Sequence, residues 1–128
     1  MIKITYSVFP RADLSHETAI RLWMEEHGDL VRRHAATLRL ARYVQTPRGA
    51  FGAIEAKMAA ARGMQADGPL GLAELYWANR EDLYFSFEDP DARRAYRELV
   101  EDEKRFAALG RSSPWIGEER VVIAGAGA

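Results

Sequence analysis

The chain has 128 residues, with 18 basic and 19 acidic side chains, a formal net charge of −1 and no cysteine. That length fits a single domain spanning 1–128. The charge balance gives no electrostatic reason to expect nucleic acid or an anionic membrane as partner, and the missing cysteines exclude disulfides, thiolate nucleophiles and cysteine-based metal sites. No apolar run reaches the ~20 residues a membrane span needs, and the chain opens on a strand-like pattern rather than a signal peptide. A cytoplasmic location is therefore expected.

Residues 2–9 alternate, with Ile2, Ile4, Tyr6 and Val8 on one face, which predicts a strand ending at Pro10. Ser15 is a suitable N-cap for the next element, and Glu17 falls in its first turn, where the helix dipole favours an acid. Ile20, Trp23, Met24, Val31 and Ala35 keep helical spacing, and Gly28 marks a place to bend or restart. A second strand is predicted over 38–46, closed by Thr46-Pro47. Residues 48–69 combine flanking glycines and a proline with the helix formers of "AIEAKMAAARGM". They read as an insertion carrying a short helix, either covering a pocket or making a plain surface excursion.

"LGLAELYW" over 70–77 is a third strand, with Leu72, Glu74 and Tyr76 on one face and Ala73, Leu75 and Trp77 on the other. Asn79 caps a helical segment, Asp89-Pro90-Asp91 punctuates the chain, and a charged helix runs on to about Leu109 with Gly110 as its stop. "WIGEERVVI" reads as the last strand, and the tail 124–128 is expected to be disordered. The order is βαββαβ, the ferredoxin-like arrangement of the α+β class: one antiparallel sheet with helices on a single face. The bare sheet face needs a cover, and a second copy of the chain, giving a homodimer, is the simplest one.

Three histidines are candidates for chemistry. His27 lies four residues after Trp23 on the same helical face, where an apolar wall and a partner acid would tune its proton affinity. It is either a general acid–base group or a core-edge histidine bonded to a backbone carbonyl. His34 follows two arginines near the helix end, so it is either a ligand contact or a helix-terminal cation. His16 is expected in solvent. The histidine spacings do not build a metal site, and no metal or cofactor is expected.

Glu74 sits mid-strand in an apolar segment, turned into either the dimer face or a cavity, as a buried acid–base candidate or as the salt-bridge partner of a neighbouring arginine such as Arg42. Tyr6, Tyr43, Trp23, Tyr76 and Trp77 are candidate pocket liners or core, and the phenols of Tyr6 and Tyr43 could orient a ligand oxygen. Glu98, Glu101, Asp102 and Glu103 read as the solvated face of the last helix. Neither a phosphate-binding glycine loop nor a nucleophile elbow is present.

The stretches "MIKITYSV", "LSHETAIRLWMEEHGDLVRRH" and "LARYVQT" carry Trp23, His27 and Leu30 followed by Tyr43-Val44-Gln45. With "GLAELYWANREDLYFSFEDPDARRAY", "EDEKRF" and "EERVVI", they resemble the EthD-domain family over nearly the whole chain outside 48–69. The resemblance implies a dimeric α+β barrel. It points to His27 as a functional position; with the residue readings above, Tyr43 and Glu74 are the candidate catalytic partners and Tyr6, Trp23, His34, Tyr76 and Trp77 the candidate substrate contacts. The family's name comes from an accessory protein of ethyl tert-butyl ether degradation. Proteins of similar fold include methylmuconolactone methylisomerase, fungal polyketide decarboxylases or dehydratases, and cofactor-free monooxygenases and cyclases. The expected function is thus a cofactor-independent acid–base enzyme, of lyase, isomerase, dehydratase or cyclase type, acting on a small aromatic, polyketide or lactone-like metabolite. The alternatives are a non-catalytic accessory protein of an oxidative degradation pathway and a cofactor-free monooxygenase.

Overall fold

The computed structural model describes residues 1–65 and 68–126. Residues 66 and 67 of the insertion and the last two of the tail lie outside them. Four strands, β1 (Ile2–Val8), β2 (Arg42–Pro47), β3 (Gly71–Trp77) and β4 (Trp115–Glu118), form one sheet in the order β2-β3-β1-β4. All the pairings are antiparallel. Helices pack on one face, which is the ferredoxin-like α+β fold.

β1 and β3 form as their alternation predicts. Ile2, Ile4, Tyr6 and Val8 lie opposite Trp77, Leu75, Ala73 and Gly71. The apolar side chains of these rows point toward the helices and make the core with Trp23, Leu83 and Phe106. Gly71 leaves no room for a side chain: a Cβ there would fall against the Thr46 carbonyl oxygen and the Trp23 ring. The other face carries Lys3, Thr5, Val44, Leu72, Glu74 and Tyr76, in register with one another and with Trp115.

The first helix starts as expected, with the Ser15 Oγ accepting from the Thr18 N–H at 3.1 Å. It then runs in three pieces: α1 (His16–Arg21), a π-helical segment (Leu22–His27) and α2 (Gly28–His34). The irregularity therefore precedes Gly28, whose own backbone stays helical. In the π segment the Gly28 N–H reaches back to the Trp23 carbonyl, five residues earlier. The Gln45 side chain donates to the same carbonyl at 2.9 Å. In a regular α-helix each four-residue step turns the facing direction by about 40°. The wider turn offsets that drift, so Trp23, His27 and Val31 are all buried against the sheet.

α3 (Gly52–Arg62) lies within the insertion and ends at Gly63 in the left-handed conformation, φ 64°. Its Ile54 and Met58 side chains point to solvent. α4 (Arg80–Glu88) is capped by Asn79, whose Oδ1 accepts from the Asp82 N–H at 2.8 Å. α5 (Pro90–Glu103) is capped by the Asp89 carboxylate and begins on a proline, whose missing N–H costs nothing at that position.

Three boundaries differ from the sequence expectation. α5 stops at Glu103 rather than near Leu109, because the chain turns back to pair Ala107 with Pro10 at the end of β1. β4 stops at Glu118 rather than Ile123, and Val121, Val122 and Ile123 are 67%, 83% and 88% exposed. β2 begins at Arg42, since Leu38 serves instead as a fully buried plug between helix and strand.

Candidate active site around His27

A cavity of about 230 Å³ lies between the helix-facing side of the sheet and α5. Its apolar wall comes from Ile4 of β1, Leu75 of β3, Val31 of α2, and Leu99 and Val100 of α5. Its polar groups are Tyr6, Tyr43, Tyr96, His27 and Glu103, with Ser112 toward one end. A smaller void of about 10 Å³, near the size of one water, shares the Tyr6, His27 and Glu103 wall and adds Trp23 and Phe106.

His27 is 1% exposed and sits edge-on to Phe106, with the ring centroids 5.3 Å apart. The last turn of α5 flanks it with two consecutive carboxylates. Asp102 Oδ2 lies 2.8 Å from Nδ1, and Glu103 Oε2 lies 3.8 Å from Nε2. Asp102 also accepts from Arg105 Nε at 2.8 Å, and Arg105 reaches on to Glu26 of the π segment at 3.0 Å. An Asp carboxylate held by a guanidinium is an acceptor, so His27 donates from Nδ1 and keeps a lone pair on Nε2. Burial pushes the His27 pKa down; the Asp102 bond and charge oppose this, and Arg105 adds to it. Burial, reinforced by the Asp102 charge, lifts the Glu103 carboxyl to about 7.

The three tyrosines come from three elements. Tyr6 and Tyr43 rise from β1 and β2 on either side of β3, and burial pushes both phenols up. The Tyr43 oxygen accepts from Gln45 Nε2 at 3.3 Å. Tyr96 donates to Ser86 Oγ at 3.1 Å, since the Ser86 hydroxyl is itself spent on the Leu83 carbonyl at 2.7 Å. Burial carries the Tyr96 phenol to about 12. All three stay neutral at physiological pH and can act as hydrogen-bond donors.

The sequence-predicted residues divide into those the cavity gathers and those it does not. His27, Tyr6 and Tyr43 line it together, and Trp23 lines the adjoining void. Trp77 is core, its indole N–H donating to the Leu38 carbonyl at 2.9 Å. His34 points away, its Nε2 2.7 Å from Glu98 at the surface.

Glu74 and Tyr76 are corrections to the expected constellation. Both lie on the opposite sheet face, because strand alternation puts residues 74 and 76 out of phase with Leu75. Glu74 pairs there with Lys3, not with Arg42, whose guanidinium lies 5.2 Å from the Tyr76 ring centre. The insertion 48–69 contributes no described residue to the cavity wall.

Asp102 and Glu103, read from sequence as solvated, are the residues that engage His27. One signal could have found them. Three consecutive acids, 101–103, end a helix whose negative dipole end disfavours them. That signal was hidden by placing the helix end near Leu109.

The family model for the EthD domain matches residues 11–110. No curated protein matches the sequence. Among solved structures, the chain is similar to an ethyl tert-butyl ether degradation (EthD) family protein of Bacillus halodurans, at 16% identity and TM-score 0.58, covering 94% of this chain and 100% of that one. It is also similar to a dimeric ferredoxin-like protein of unknown function from Bacteroides fragilis, at 13% identity and TM-score 0.56, covering 92% and 95%. A second such dimeric protein, from Jannaschia, matches at 13% identity and TM-score 0.56, covering 92% and 98%. These likenesses agree with the sheet order and helix placement described above, and the match over residues 11–110 takes in His27, the π segment and the Asp102–Glu103 turn: the chain belongs to the EthD family.

Proposed function

We propose that this protein is a cofactor-independent acid–base enzyme acting on a small aromatic, polyketide or lactone-like metabolite, with His27 as the proton carrier. The observation that carries the reading is the Asp102–His27 contact of 2.8 Å, which leaves Nε2 facing an apolar cavity of about 230 Å³. Asp102 fixes the tautomer and stabilises the imidazolium once a proton arrives. Nε2 takes a proton from a phenolic hydroxyl, or from a carbon beside a carbonyl, and the electron pair moves into the ring or onto that carbonyl oxygen. The Tyr43 or Tyr6 hydroxyl donates to the oxygen as its charge grows. Return of the proton from Nε2 to a different atom isomerises the substrate, and loss of a leaving group from the same enolate makes the step a lyase or dehydratase reaction. Positioned proton transfer supplies ~10²–10⁴-fold, and orientation in the cavity supplies more.

The homodimer belongs to the same proposal. The dimeric structural neighbours support it, as do the half-buried Val44 and Leu72 on the sheet face away from the helices and Trp115 at its edge, 60% exposed. The direct experiment is deuterium exchange into a panel of enolisable aromatic and polyketide-type ketones in heavy water, followed by NMR. The native protein is expected to accelerate exchange at one carbon, and His27→Gln to lose that acceleration by at least ~10²-fold while keeping its circular dichroism. Undiminished exchange in His27→Gln removes the residue from the mechanism. Saturable binding without exchange in any ketone favours an accessory role instead.

A further inference from the structure

His27 Nε2 and Glu103 Oε2 stand 3.8 Å apart, too far for a bond to each other. Two atoms at that separation hold a third between them: an oxygen about 2.8 Å from each completes the triangle. The chemistry of that oxygen is constrained. Nδ1 is committed to Asp102, so Nε2 offers a lone pair and the bridging group must donate to it. A carboxyl group on the other side donates in turn. An oxygen that gives one hydrogen bond and accepts another is a hydroxyl or a water, and the apolar wall of the cavity of about 230 Å³ favours the hydroxyl of a ring compound in that place.

The remaining wall decides the charge. Apart from His27 and Glu103, its polar side chains are tyrosines and one serine, with no lysine or arginine among the described residues lining the cavity. A carboxylate ligand would find no cation to pair with and would face Glu103. The groups around Glu103 are His27 from the π segment, Tyr6 from β1, Tyr43 from β2 and, on its own helix, Asp102 with Arg105 beyond it.

We infer that the cavity selects an uncharged, hydroxyl-bearing ring compound, whose hydroxyl is held between Nε2 of His27 and the carboxyl group of Glu103, so that Glu103 is a specificity-determining residue. The inference rests on the reading of this cavity as the substrate site. It requires the neutral form of both groups. Binding therefore has two limbs, falling in acid as His27 gains a proton and falling in alkali as Glu103 loses one, with the alkaline limb near pH 7.

The test uses 2-naphthol and 2-naphthoate as matched probes, titrated by calorimetry between roughly pH 5 and pH 8.5. A phenol stays neutral across this range, its pKa being about 10. The expected result is that naphthol binds and weakens by at least about tenfold from near neutrality to the top of the range, and that naphthoate binds far more weakly. Glu103→Gln, which keeps a donor but cannot ionise, is expected to retain naphthol binding and flatten the alkaline limb. Equal binding of the two probes, or no alkaline limb in the native protein, overturns the role of Glu103 while leaving the cavity as the site. Failure of naphthol to bind, or binding untouched by Val100→Trp at the cavity wall, overturns both readings.

Discussion

At the scale of single residues, the site is a contest between desolvation and pairing. His27 and Glu103 share a buried wall, and burial drives both toward neutrality: histidine by losing a proton, glutamate by keeping one. The consequence for stability has a definite sign. The carboxyl of Glu103 titrates at about 7 in the folded protein against an ordinary 4.5, so folding favours its protonated form. Its contribution is fully present below the unfolded value and is lost as pH rises through the folded one. Glu103→Gln removes that loss. The variant is expected to match the native protein in urea unfolding near pH 5 and to be more stable near pH 8 by about 1–3 kcal/mol. A native protein equally stable at both pH values, with no gain in the variant, would show that the carboxyl is not desolvated as described.

Among elements, β1, β3 and the first helix announce themselves through alternation, capping and an apolar stripe, and all three form where those signals put them. Tyr6, Tyr43 and His27 were legible for the same reason: period two and helical spacing fix which side of an element a residue occupies. Glu74 shows the limit of that logic. Alternation told its face, but not that the helices would choose the other one. Asp102 and Glu103 were hidden because nothing local marks the end of α5, which is set by the distant pairing of Ala107 with Pro10. The close seating of Trp23 on β3 is also non-local and gives a direct check. Gly71→Ala would push a methyl into the Thr46 carbonyl and the Trp23 ring, and is expected to cost about 1–3 kcal/mol and shift the tryptophan emission. Gly52→Ala, at an open position opening α3, serves as the control and is expected to be neutral or slightly stabilising. Equal effects of the two substitutions would refute the tight contact.

For the whole molecule, the proposed homodimer rests on the sheet face away from the helices. It presents the half-buried Val44 and Leu72 beside the Lys3–Glu74 pair, with Tyr76 already buried and Trp115 at its edge 60% exposed. Sedimentation of the native chain is expected to give a dimer, and Val44→Glu with Leu72→Glu on this face a monomer, because like charges would then meet across the two-fold axis. A native monomer would refute the pairing of sheets. The cavity walls described above come from one chain, from both sides of the β2–β3 connection. Tyr6, His27 and Tyr43 precede that connection; Tyr96 and Glu103, with Asp102 behind His27, follow it. A chain cut after α3 would leave each fragment with half a proton relay and no cavity. Activity, or the binding of a simple phenol, then becomes a readout of reunion, and the protein a natural scaffold for a two-piece complementation sensor.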